Sequence, residues 1–190
     1  MKVEATPLAD VVVLAPDVHA DARGTLIEAW RDARYAALGI GGFAQRNLST
    51  SRRGVVRGLH YQRTRPQGKL VTVAHGAIYD VVVDLRRDSP TFRRWWAVEL
   101  TAVDARQLWI PPGCAHGFQA LTVDAVVAYD LTVAYDPDDE GAVRWDDPML
   151  DIGWPIMPAI VSARDNAAPS LAVAPLPAIT AARTDPPPPR

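Results

Sequence analysis

Cysteine is nearly absent. Cys114 is the single one in 190 residues. One thiol cannot build an intramolecular disulfide framework, and it fits a reducing compartment. An excess of either charge is also missing. Lys+Arg number 20 and Asp+Glu 22, a formal charge of -2. No strong overall field therefore draws the chain to nucleic acid or to an anionic membrane. No run approaches the roughly 18 apolar residues of a membrane span. The opening stretch Met1–Gly24, with acids early and a short apolar run, does not read as a signal peptide. No repeat of about 20–50 residues is present. What remains is the expectation of a soluble, cytoplasmic protein of ordinary domain size, 48% hydrophobic and able to bury a core.

Proline is abundant, with 17 residues, and the chain closes on Pro186–Pro189. An Ala/Pro-rich stretch lacks the donors for a ladder and cannot sustain a long helix. We therefore expect a domain over residues 1–165 and an extended or disordered appendage over 166–190. The middle of the chain reads as β. Residues 69–74, 77–85, 95–100, 106–110, 117–121 and 125–135 are rich in β-branched and aromatic residues. His75-Gly76 reads as a tight turn between the first two. Strands recurring every 8 to 15 residues or so, with Gly, Pro or Asp between them, indicate an all-β sandwich or barrel rather than βαβ units. Helix is expected only over 29–38 and around 148–152. In the run 77–85, Asp80 and Asp84 share a face with Ile78 and Val82. Two carboxylates on so apolar a strand mean either a solvated edge or a polar pocket inside a barrel.

Four histidines occur. His19 and His75 fall in polar or turn-like segments and are expected at the surface. His60 lies in Arg57-Gly58-Leu59-His60-Tyr61-Gln62, where alternation puts it on one face with Gln62. Lys69 follows seven residues after Gln62. His116 lies in Pro111-Pro112-Gly113-Cys114-Ala115-His116, a Pro-x-Gly-x-x-His pattern that resembles the second signature of cupin barrels. Metal-binding cupins carry His-x-His and a carboxylate in the earlier signature. Here that stretch is His60-Tyr61-Gln62, and the next candidate position is Lys69, whose ammonium repels a divalent cation. No metal and no other cofactor is expected. Cys114 reads as a buried structural thiol.

A more specific resemblance then emerges. RGLHYQ, GKLVTVAHGAIYDVVVDLR, SPTF, LWIPPGCAHGF, the tyrosines of AYDLTVAY, Ile152-Gly153-Trp154-Pro155, and Asp21-Ala22-Arg23-Gly24 with Glu28 together resemble the dTDP-4-dehydrorhamnose 3,5-epimerase family. The likeness runs from about Asp17 to Asp165 and implies a cupin-like jelly-roll fold. It implies an epimerase that removes and returns protons beside the ketone of a dTDP-linked 4-keto-6-deoxyhexose, chemistry that needs no redox cofactor. A base and an acid on opposite faces of the sugar are required, with a cation at the developing enolate oxygen.

By this resemblance His60 is the base and Asp165 its carboxylate partner. Tyr129 is the proton donor, and Lys69 sits by the oxyanion. Arg57 and His116 contact sugar and diphosphate, and Arg23 contacts the diphosphate. Glu28, Gln45 and Asn47 make polar contacts, Tyr135 stacks on thymine, and Glu140 and Arg164 bind the nucleotide. The resemblance also implies a homodimer in which an exchanged N-terminal strand carries Arg23 and Glu28 into the partner's site. Departures from the family pattern are Arg46 where Asp is common, Leu48 for His, Leu26 for an aromatic, Arg164 for Lys, and a connection from Gln62 to Lys69 one residue shorter. None removes a proton-transfer residue. Three other readings stay open. They are an epimerase acting at C3 alone, a sugar-nucleotide-binding cupin without catalysis, and a metal-dependent cupin.

Overall fold

A computed structural model describes residues 1–179. Among these residues the regular secondary structure is almost entirely β, arranged as two facing six-stranded sheets of a jelly-roll sandwich. The first sheet contains β1 (Lys2–Ala5), β2 (Val12–Ala15), β5 (Gln45–Arg52), β7 (Lys69–His75), β10 (Gln107–Ile110) and β12 (Asp124–Leu131). Their spatial order is β1-β2-β10-β7-β12-β5. The second contains β6 (Val55–Gln62), β8 (Ala77–Asp84), β9 (Trp95–Thr101), β11 (Cys114–Ala120) and β13 (Glu140–Ala142), in the order β13-β6-β11-β8-β9. A short strand, β14 (Ile160–Val161), adds to β6 in parallel. The hairpin of β3 (Val18–Asp21) and β4 (Gly24–Ile27) pairs with neither sheet.

The central strands of each sheet are buried on both faces, which explains why runs such as Val81-Val82-Val83 do not simply alternate. Between the sheets, Val71, Val73 and Leu108 pack against Ile78, Val82, Leu100 and Phe118. Outside the second sheet, Leu59, Tyr61, Val81 and Val83 are covered by Leu150, Trp154, Leu171 and Ala174. Outside the first, Leu14 and Leu70 are covered by Tyr35 and Ile40, with Trp30 tilted against Tyr35 at 4.3 Å between ring centroids.

Several expectations need correction. Residues 69–75 and 77–84 form strands, but not a hairpin: β7 belongs to one sheet and β8 to the other, so His75-Gly76 is a crossover at the sandwich edge. Gly76 has φ +74, and a Cβ there would lie 2.4 Å from the Asp124 carbonyl oxygen. The strand expected over 125–135 ends at Leu131. The helix expected over 29–38 shrinks to α1 (Asp32–Ala36), which has no side-chain N-cap and runs into Gly39 at φ +72. No helix forms at 148–152. Asp147 captures the turn instead, its Oδ1 accepting from the Met149 amide at 2.9 Å, and side chains of this type compete with helix for backbone donors. The second helix is α2 (Ala163–Asn166), opened by Ser162, whose Oγ accepts from the Asp165 amide at 3.0 Å.

β8 is an interior strand between β11 and β9. Asp80 faces the inside of the sandwich, where it meets His116. Asp84 lies under a cap of Arg86, Ser89 and Thr91 that holds its carboxyl below the usual range despite burial. Of the proline-rich stretch, residues 167–179 lie along the barrel. Leu171 and Ala174 are buried there, the Leu171 amide donates to Asp147 Oδ2 at 2.7 Å, and the Ala178 amide donates to the Arg63 carbonyl at 2.7 Å. The run Pro186–Pro189 lies outside the described residues.

Candidate active site

Strand register brings the chemistry-bearing side chains to one end of the sandwich interior. On the first sheet, Lys69 pairs with Leu131, and Tyr129 pairs with both Val71 and Asn47. Residues opposed in an antiparallel ladder share a face, so Lys69, Tyr129 and Asn47 all point inward. On the second sheet, His60 and His116 are register partners. Just beyond them the register slips, between His116 and Phe118. At the slip Gly58, at φ +131, lies against Gly117, so close that a Cβ on Gly58 would sit 2.5 Å from the Gly117 Cα. Bulges of this kind re-aim the neighbouring side chains.

The result is a cavity of about 470 Å³ whose lining includes Arg57, His60, Lys69, His116, Tyr129 and Asp165. Arg164, Ser162 and the β14 residues form its rim. A second cavity of about 230 Å³ shares His60, Lys69 and Tyr129 with the first and adds Asn47, Gln62, Tyr135 and Glu140. The imidazole of His60 therefore comes from one sheet, and the phenol of Tyr129 and the ammonium of Lys69 from the other.

His60 Nε2 lies 2.7 Å from Asp165 Oδ1. The other carboxylate oxygen accepts from the Gly58 amide at 3.3 Å. Burial pushes the Asp165 carboxyl up, but His60, the Gly58 amide and Ser162 outweigh it and hold the group below its ordinary range. An ionised carboxylate only accepts, so His60 carries its hydrogen on Nε2 and its lone pair on Nδ1. His116 repeats the arrangement, with Nε2 at 2.9 Å from Asp80 Oδ2, and Asp80 is fully buried.

Lys69 is only 8% exposed. Its Nζ donates to the His60 carbonyl oxygen at 3.1 Å, tying the two sheets together at the site. Burial pulls its pKa down to about 8, against an opposing pull from Asp80. Cys114, buried in the same core, has its thiol pushed up by burial, as befits a structural residue. Among the described residues no three His, Cys, Asp or Glu side chains stand together as metal ligands.

At the rim, Tyr135 donates through its hydroxyl to Glu140 Oε2 at 2.8 Å, and Arg164 pairs with the same carboxylate. Arg57 is held by Ser51 Oγ at 2.9 Å and the Thr50 carbonyl at 3.2 Å. Three of the expected residues do not line either cavity. Gln45 faces inward, but its amide is spent on Asn47 and on the Tyr135 amide. Arg23 sits in the β3–β4 turn and pairs with Asp21, and Glu28 pairs with Arg31 and Arg34. The departures at 46 and 48 fall on the opposite face of β5, where Arg46 engages Asp130 at 2.6 Å and Leu48 is exposed. Asp80 and Gln62 were not assigned roles from sequence. Their alternation with inward-facing neighbours was the available signal.

The profile of the dTDP-4-dehydrorhamnose 3,5-epimerase family matches residues 5–173. A Salmonella typhimurium protein of that name is 45% identical over 172 residues, covering 87% of this chain and 93% of the relative. One from Neisseria gonorrhoeae is 45% identical over 164 residues, 85% of this chain, which spans half the length of that relative. Among solved structures, the Legionella pneumophila dTDP-6-deoxy-D-glucose-3,5-epimerase in complex with dTDP-4-keto-L-rhamnose superposes with TM-score 0.90 at 40% identity, covering 95% of this chain and 99% of that one. ChmJ of Streptomyces bikiniensis, a 3'-monoepimerase in complex with dTDP-quinovose, follows at TM-score 0.83 and 35% identity, with coverages of 89% and 87%. Profile match, identity and superposition agree, and the chain belongs to the dTDP-4-dehydrorhamnose 3,5-epimerase family.

Proposed function

We propose that this protein is an isomerase that inverts C3 and C5 of a dTDP-linked 4-keto-6-deoxyglucose, in the making of dTDP-L-rhamnose or a related deoxysugar. The observation that carries the reading is one cavity receiving His60 from one sheet, with Asp165 of α2 hydrogen-bonded to it, and Tyr129 with Lys69 from the other sheet.

The hydrogens beside a ketone are weakly acidic. His60 Nδ1 takes the proton from the carbon next to the ketone, and the released electron pair moves onto the carbonyl oxygen as an enolate. The Lys69 ammonium, itself largely buried, stabilises that oxygen where a fixed charge counts for more than in open water. Asp165 holds the imidazole in the useful tautomer and stabilises the imidazolium that forms. Tyr129 then delivers its proton to the same carbon from the opposite face, the ketone re-forms, and the proton on His60 passes to the phenolate through solvent. No atom is gained or lost.

The nucleotide falls to the second cavity and its rim. Tyr135 offers an aromatic face, Asn47 and Glu140 polar contacts, and Arg164, Arg57 and His116 contacts toward the diphosphate and sugar. Arg23 and Glu28 act from a second copy of the chain. The exposed β3–β4 hairpin supports this, since Leu26 is 69% exposed and the hairpin joins neither sheet. The site of action is the cytoplasm; no helix among the described residues is long and apolar enough to cross a membrane.

The test is incubation of dTDP-4-keto-6-deoxyglucose with the enzyme in deuterated water, followed by NMR of the product. Label at both C3 and C5 is expected. Label at C3 alone reassigns the protein to the single-epimerisation class, and tight dTDP binding with no label at either carbon leaves only a binding module.

A further inference from the structure

Tyr135 sits on a segment that no strand supports. β12 ends at Leu131 and β13 begins at Glu140. Thr132 is tied to the Gly68 carbonyl, and Arg65 pairs with the Asp136 carboxylate at 2.8 Å, but the backbone from Val133 to Asp136 is held mainly by three glutamine side chains from three places in the chain. Gln67 Nε2 donates to the Val133 carbonyl. Gln45 Oε1 accepts from the Tyr135 amide at 2.9 Å. Gln62 uses both ends of its amide on one residue: Nε2 donates to the Asp136 carbonyl at 2.9 Å, and Oε1 accepts from the Asp136 amide at 3.0 Å. Gln62 is 2% exposed, and it stands opposite Glu140 in the β6–β13 register. The same strand edge thus fixes the carboxylate that receives the Tyr135 hydroxyl and the backbone that follows Tyr135.

We propose that Gln62 is the positioning residue for the nucleotide platform: by clamping both backbone groups of Asp136 it holds Tyr135 preformed as a stacking surface for the base of a nucleoside diphosphate. The inference rests on the assignment of Tyr135 to the nucleotide given above. Its chemistry is specific. A primary amide supplies one donor and one acceptor in a fixed fork, matching one backbone carbonyl and one amide. Glutamate lacks the donor, and methionine lacks both. Thr132 stays anchored to Gly68, but without the clamp the backbone around Tyr135 and Asp136 samples other conformations, and a ligand must order it on binding, which lowers affinity. The proton-transfer groups, His60 on β6 and Tyr129 on β12, lie outside the 132–136 segment, and His60 is held by Asp165 rather than by Gln62, so the loss falls on binding rather than on turnover.

The experiment is calorimetric titration with dTDP, alongside steady-state kinetics, for the wild type, Gln62→Met, Gln62→Glu, Tyr135→Ala and the double variant Gln62→Met/Tyr135→Ala. Circular dichroism and melting establish that each is folded, and Gln62→Glu serves if Gln62→Met is not. We expect Gln62→Met to weaken dTDP binding about tenfold, as expected for hydrogen bonds lost with their partners left buried. KM rises by a similar factor while kcat stays within about twofold. In the Tyr135→Ala background the same change costs less than about twofold, because the platform it serves is gone. Equal losses in both backgrounds, unchanged affinity, or a fall in kcat at constant KM would overturn the inference alone. Failure of the wild type to bind dTDP overturns the nucleotide reading on which it stands.

Discussion

His60 and Asp165 lie 105 positions apart in sequence and 2.7 Å apart in space. One stands on β6, the other on the four-residue helix α2 that the chain reaches only after closing the barrel. Asp165 is aimed from both sides. Ser162 caps the helix beneath it, and the Gly58 amide, freed by the bulge, takes its second oxygen. The carboxylate thus arrives charged and already hydrogen-bonded, and the imidazole tautomer follows from it.

Asp165→Asn keeps the shape and removes the charge. The asparagine amide can donate to Nε2 and leave the hydrogen on Nδ1, the wrong nitrogen. We expect kcat to fall by about 10²-fold or more, with dTDP affinity changed little. A fall confined to KM would contradict the tautomer role.

The alkaline side of the pH profile belongs to Lys69. An ordinary lysine stays charged to about pH 10, but burial brings Lys69 down to about 8. The charged form stabilises the enolate, so kcat should fall as pH rises through about 8. Lys69→Arg, which stays charged, should shift that limb upward. Asp80→Asn, which removes the charge holding the proton on Lys69, should shift it downward. A limb that stays in place in both variants assigns the titration elsewhere.

Gly58→Ala should be among the most damaging single changes. The added carbon meets the Gly117 backbone, and φ +131 is itself unfavourable for alanine. Overpacking and backbone strain together should cost about 3 kcal/mol or more, read as a lower urea midpoint with the slope unchanged. A neutral result would mean that β6 and β11 separate easily at the bulge.

Much of this was legible from residue patterns. Residues 77–85 announced a strand, and Asp80 within that run left open a solvated edge or a polar pocket, of which the structure shows the second. His60, Lys69, His116 and Tyr129 could be named because the segments that carry them resemble those of a known family, and not from their spacing alone. Topology was not legible. The His75-Gly76 pair looks like a hairpin turn, yet it connects opposite sheets, because both faces of β7 and β8 are buried and only a sandwich satisfies them. The glutamine clamp was hidden for a related reason. Gln45, Gln62 and Gln67 act on backbone groups, which carry no sequence signal. Arg23 and Glu28 kept their motif but lie outside the cavities of a single chain.

Leu171 tests how the proline-rich stretch belongs to the domain. It is buried against Leu59 and Val83 in the cluster outside the second sheet. Leu171→Ala should destabilise by about 2–5 kcal/mol, the usual range for a buried leucine, seen in urea unfolding. A free appendage would show no change.

The central claim is that an imidazole from one sheet removes a proton and a phenol from the other returns one. Solvent deuterium uptake into dTDP-4-keto-6-deoxyglucose, followed by NMR for the wild type, His60→Asn and Tyr129→Phe, addresses it directly. Rapid label at C3 is expected in the wild type, with uptake lower by about 10²–10⁴-fold in His60→Asn. In Tyr129→Phe wash-in should outlast net epimerisation. Undiminished uptake in His60→Asn would contradict the claim.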